Sequence, residues 1–191
     1  MIKRIVAQTA KLFVERTPNA QSVLGLYAAI VFMVYSWTLF TSFYKLPSWM
    51  FYLTISQILS IYAYAFSVNL AESVLFLAGV LALDFTLFFA LRNRDEIQAR
   101  SILIAFVLLA SSMWRLLLFQ RYEDSAAFVE GELKWWALTL AIGLPLAALI
   151  PKNNGARRIL ETFTERAAVF LYIYLPLSFI SLIVVIARNI Y

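Results

Sequence analysis

From Ser22 to Phe43 the chain runs without one charged side chain. A helix of that length rises about 33 Å, enough to cross a hydrocarbon core of about 30 Å. Comparable apolar runs recur at 49–67, 70–91, 101–119, 135–150 and 167–187. Hydrophobic residues make up 63% of the 191-residue chain and charged ones only 14%, against roughly 25% charged in an average soluble domain. A water-soluble globule of this size leaves roughly 30% of its chain surface exposed and has nowhere to hide so much apolar area. The pattern predicts an all-α fold, a polytopic transmembrane bundle of about six spans.

Residues 1–18 are too short and too charged to span. On a helical wheel Ile2, Ile5, Val6, Leu12 and Phe13 share one face, and Lys3, Arg4, Gln8 and Lys11 the other. That predicts an amphipathic helix at the membrane surface, with Lys3, Arg4 and Lys11 toward headgroups or a docking partner. Residues 19–191 then form a single transmembrane bundle. Asn19 is placed to cap its first helix. Tyr44–Ser48, with Pro47, reads as a turn, and Asn69 as a break between the second and third spans. Residues 120–134 read as an acidic loop, and 151–166 as a second surface helix exposing Arg157 and Arg158. The fifth run, 16 residues long, rises only about 24 Å and reads as the weakest span.

Six spans place both termini on one face. The two faces then carry seven and eight Lys and Arg residues, so the positive-inside rule gives no orientation. The basic N-terminal segment has no evident export device, which leads us to expect cytoplasmic termini in a bacterial inner membrane. The net charge of +5 suits loops against anionic headgroups. No basic soluble domain exists to bind nucleic acid.

The chain contains no cysteine and no histidine. That removes thiolate and Ser-His-Asp chemistry and the commonest metal and haem ligands. No cofactor and no metal site are expected. The one catalytic reading left is a lipid-modifying enzyme using loop carboxylates such as Glu123 and Asp124. Clustered loop carboxylates are more often solvated charge.

Ionisable groups inside a span cost about 2.5–3.5 kcal/mol each on insertion scales, so they are the candidate sites. Asp84, Arg115 and Glu72 qualify. Depth along the helices favours Arg115 with Glu72 as an interhelical staple. Asp84 is placed at the level of Ser36, Gln57, Gly143 and Tyr174, a polar layer that fixes packing or forms a proton or cation site. The sequence thus predicts a non-catalytic membrane subunit. It would act as a scaffold, anchor or sensor that self-associates in the bilayer or docks a partner protein, a cytosolic effector among them. The alternative is an ion channel or transporter with Asp84 in its polar pathway.

Overall fold

A computed structural model of the chain describes residues 19–88, 94–118 and 125–190. The expected helix at 1–18, with Lys3, Arg4 and Lys11, lies outside the described residues, as do Glu123 and Asp124. Five long helices make up the described part: α1 (Ala20–Tyr52), α2 (Ile55–Phe88), α3 (Arg94–Leu118), α4 (Ser125–Leu149) and α5 (Asn154–Ile190). A short 3-10 turn, Ile150–Lys152, joins the last two. All five helices are long and apolar enough to cross a membrane, which is compatible with an integral membrane protein.

The local chemistry shows where the helices begin. The Asn19 side chain accepts the Ser22 N–H at 2.6 Å and caps α1. Thr54 and Gln57 form a reciprocal capping box at the start of α2. The Gln57 amide oxygen accepts the Thr54 N–H at 2.8 Å, and the Thr54 hydroxyl accepts the Gln57 N–H at 3.4 Å. Asn153 opens α5 by accepting the Gly155 N–H at 2.8 Å.

Several sequence expectations change. The turn falls at Leu53–Thr54 and not at Tyr44–Ser48, because α1 carries Pro47 inside its last turns. The runs 49–67 and 70–91 are not two spans. Residues 49–52 end α1, and one unbroken helix of 34 residues covers 55–88. Asn69 does not break it, because its side-chain oxygen accepts the Thr38 hydroxyl of α1 at 3.1 Å instead of turning back on its own backbone. The surface helix at 151–166 and the span at 167–187 are likewise one helix, α5. The 16-residue fifth run belongs to a 25-residue helix, α4, about 38 Å long. That helix takes in the last ten residues of the expected acidic loop at 120–134.

Helix α1 is the axis of the bundle. Leu26, Ala28, Ala29, Ile30, Val31 and Tyr35 are buried to within 1% of complete, and α2, α3 and α5 all pack on it. Helix α4 sits at the edge and packs chiefly on α3. Gly143 faces Val107 there so closely that an added methyl would lie 2.9 Å from a valine methyl. Trp135 and Trp136 each donate an indole N–H to a hydroxyl on α3, Ser111 and Ser112 respectively.

Helices consecutive in the chain run antiparallel, so α1, α3 and α5 run one way and α2 and α4 the other. Near Asn19, the Gln98 amide approaches Thr164 of α5 at 3.4 Å. Near Tyr52, Asn189 of α5 donates to Tyr64 of α2 at 3.0 Å. Five alternating helices therefore put Asn19 and Ile190 at opposite ends of the bundle, where the six-span reading placed the termini on one face.

Candidate functional site

The interior seam between α1, α2 and α5 is filled by aromatic rings. Tyr35 lies between Phe66, at a centroid distance of 5.6 Å, and Tyr174, at 4.7 Å, both rings near parallel to it. The row continues through Phe170 at 5.8 Å from Tyr174, then Phe32 at 5.1 Å from Phe170. Toward the other end Tyr62 stacks on Phe66 at 6.2 Å. Offset stacking and edge contacts at these separations suit the ring quadrupoles. The one hydroxyl fully enclosed in the row, that of Tyr35, is hydrogen-bonded to Ser178 at 2.6 Å.

The candidate polar residues do not form one layer. Gln57 and Asp84 sit on the same helix, 27 residues or about 40 Å apart. Gln57 is spent on its capping box. Asp84 is fully buried, as is Arg100 at 2% exposure. Both lie within two to three turns of the Asn19 end. Gly143 faces Val107, and Tyr174 belongs to the aromatic row.

Arg115 does not reach Glu72. Its guanidinium pairs with Glu132 of α4 at 2.9 Å, with the two side chains 13% and 19% exposed. The guanidinium lies directly over Gly131, in space that any side chain there would occupy. This partner escapes the sequence reading because 120–134 reads as a loop there. The doublets Ser111-Ser112 and Trp135-Trp136, now seen bonded to each other, were the available signal that α4 begins earlier.

Glu72 is the residue whose surroundings are hardest to reconcile with an isolated bundle. It is on the exposed face of α2, in no ion pair and no side-chain hydrogen bond among the described residues. It stands about 26 Å from the Ile55 end of a helix about 50 Å long. A hydrocarbon slab of about 30 Å, slid to either limit along that helix, still contains it. The nearest charged residue on α2 is Asp84, three turns away. Around Glu72 the same exposed face carries Val68, Ala71, Leu75, Ala78, Gly79 and Ala82. Beside Gly79 there is open space.

Arg157 and Arg158 lie in the first turns of α5. Arg157 pairs with Glu161 at 3.6 Å, and Arg158 is exposed. A cleft of about 390 Å³ at the Asn19 end is lined in part by Asn19, Gln98, Glu161 and Glu165. Two carboxylates, one already paired, fall short of a metal cage, and no group of three acidic ligands occurs among the described residues. No family model, no curated protein and no solved structure matches this chain.

Proposed function

We propose that this chain is a non-catalytic integral membrane subunit that assembles side by side in the bilayer through the exposed face of α2, with a second copy of itself as the partner. One observation carries the reading: the Glu72 carboxyl on a lipid-facing surface, inside the hydrocarbon at every placement of the membrane. An acidic side chain there costs a few kcal/mol as long as lipid is its only neighbour. A two-fold contact offsets that cost by pairing two protonated Glu72 carboxyls, each donating its O–H to the carbonyl oxygen of the other. Ala71, Ala78, Gly79 and Ala82 suit such a contact, since small residues let two backbones approach closely where no water drives association.

The aromatic seam supports a scaffold over the channel alternative, because side chains occupy the centre where α1, α2 and α5 meet. The same holds for the chemistry the chain lacks. With neither cysteine nor histidine, output to a cytosolic effector would run through shape and contact.

We also propose the orientation. Once the spans number five, Arg94, Arg100, Lys152, Arg157, Arg158 and Arg166 fall at the Asn19 end; in sequence Lys3, Arg4, Lys11 and Arg16 lead into it and Arg92 stands in the connection between α2 and α3. The opposite end has Lys45, Arg115, Lys134 and Arg188, with Arg121 in the sequence connecting α3 to α4. Eleven of the sixteen basic residues stand against five. The positive-inside rule then sets the Asn19 end in the cytoplasm, as in a bacterial inner membrane.

The cysteine-free chain makes the test direct. Leu75→Cys in membranes should yield a disulfide-linked dimer under mild oxidation, and Leu138→Cys, on the exposed face of α4, should not. Glu72→Leu should lower the Leu75→Cys yield several-fold, and Glu72→Gln, which keeps a hydrogen-bonding group, should retain most of it. A Leu75→Cys protein that stays monomeric in lipid nanodiscs, with a yield no higher than that of Leu138→Cys, would overturn the reading.

A further inference from the structure

We propose that the groove along the first three turns of α5 seats the headgroup of an anionic phospholipid. The groove encloses about 440 Å³ and is lined by Gly155, Arg158, Ile159, Thr162, Phe163 and Arg166. Arg158 and Arg166 both line it, eight residues or about 12 Å apart along the helix. Neither makes an ion pair or a side-chain hydrogen bond among the described residues. Arg157, one residue away, is engaged with Glu161. Two unspent guanidinium groups and the Thr162 hydroxyl thus face one groove, the donor set that a phosphodiester oxygen pair calls for.

The apolar half of the groove selects a lipid over a free anion. Ile159 is 71% exposed, an odd position for isoleucine at a helix start unless hydrocarbon covers it. Residues 159, 162, 166, 169 and 173 follow one stripe of the helix. On that stripe Val169 and Ile173 remain exposed, and they carry it on into the apolar part of α5. Arg166 is the last charge before the uncharged stretch 167–187, so it marks the hydrocarbon boundary, and Arg158 reaches outward across the headgroup layer. A phosphate held between them leaves its acyl chains to run down Val169 and Ile173. The basic residues collected at this end of the bundle add long-range attraction for anionic lipid.

The test uses the full chain in nanodiscs of phosphatidylglycerol and phosphatidylcholine in equal amounts, with retained lipids counted by native mass spectrometry of the released protein. Phosphatidylglycerol should be retained over phosphatidylcholine by about thirtyfold, the scale set by two surface arginines. Arg158→Gln/Arg166→Gln should erase most of that preference. Arg157→Gln should keep it, and Arg158→Lys/Arg166→Lys should keep a measurable part, which separates loss of the site from loss of the fold. Equal retention of both lipids, an unchanged preference in the double glutamine variant, or displacement of the lipid by inorganic phosphate alone would overturn the proposal. The readout is made on each protomer mass, so it stands or falls independently of assembly through α2.

Discussion

The hydroxyl groups of Tyr35 and Ser178, 143 residues apart in the chain, meet at 2.6 Å in the interior of the bundle. Tyr35 is fully buried and its ring lies against both Phe66 and Tyr174. Shape and polarity can be separated at this one position. Tyr35→Phe keeps the stack and leaves Ser178 with an unmatched hydroxyl, a loss of about 1–2 kcal/mol. Tyr35→Ala opens a cavity and should cost about 3–5 kcal/mol. Tyr35→Phe and Ser178→Ala combined should fall short of additivity by about 0.6 kcal/mol, the mean for interhelical hydrogen bonds in lipid. Reversible unfolding in mixed micelles measures all four proteins. Additive losses would show that the two hydroxyls do not act as a pair.

Arg115 and Glu132 tie α3 to α4 near the Tyr52 end of the bundle. Removing one partner leaves the other charge largely enclosed, which costs about 3–5 kcal/mol for a buried pair and less here because both side chains keep some exposure. Glu132→Leu should therefore destabilise by a few kcal/mol, and adding Arg115→Met should restore part of the loss. Gly131→Ala tests the same contact from the backbone, since its methyl enters the space of the guanidinium. Thermal unfolding should rank Gly131→Ala with Glu132→Leu, whereas Ala137→Gly, on the exposed side of α4, should cost about the 1 kcal/mol of a helix glycine.

Two glycines should respond in opposite ways. Gly143→Ala meets Val107 at 2.9 Å and should lose about 1–3 kcal/mol through overpacking. Gly79→Ala meets nothing, so the protomer should be unaffected or gain up to about 1 kcal/mol from helix propensity. A bulkier Gly79→Leu should leave protomer unfolding unchanged and still suppress the Leu75→Cys cross-link. An unaltered cross-link would place the contact on another face.

Orientation can be read with single cysteines and a membrane-impermeant maleimide. Lys152→Cys should react only when the cytoplasmic face is open, as in inverted vesicles. Lys45→Cys should react in intact cells. The opposite pattern would invert the positive-inside assignment, and labelling of both from one side would restore an even number of crossings.

Much of the class was legible in the chain itself. The uncharged runs, the absence of cysteine and histidine, and the Asn19 cap needed no coordinates. The polar residues that matter were also visible as a set, because a charge in an apolar run stands out wherever it points. Their pairing was not. A fifth span that begins at Trp135 leaves Glu132 in a loop, so Glu72 stands as the acidic residue nearest Arg115 in depth, while the helix that starts at Ser125 brings Glu132 to it.

Composition alone pointed to a helical chain suited to lipid and not to water, since a polar backbone in hydrocarbon must satisfy its own hydrogen bonds. Tertiary structure decided how many helices there are and which way they face. Asn69 illustrates why. An asparagine can cap its own helix or bond sideways to a neighbour, and sequence cannot distinguish the two. Only the arrival of Thr38 at 3.1 Å makes the sideways bond available and lets α2 run on unbroken. With that, the helices long enough to span number five, the basic residues of the described helices are shared unequally between the two ends of the bundle, and Glu72 is left on the exposed face of α2.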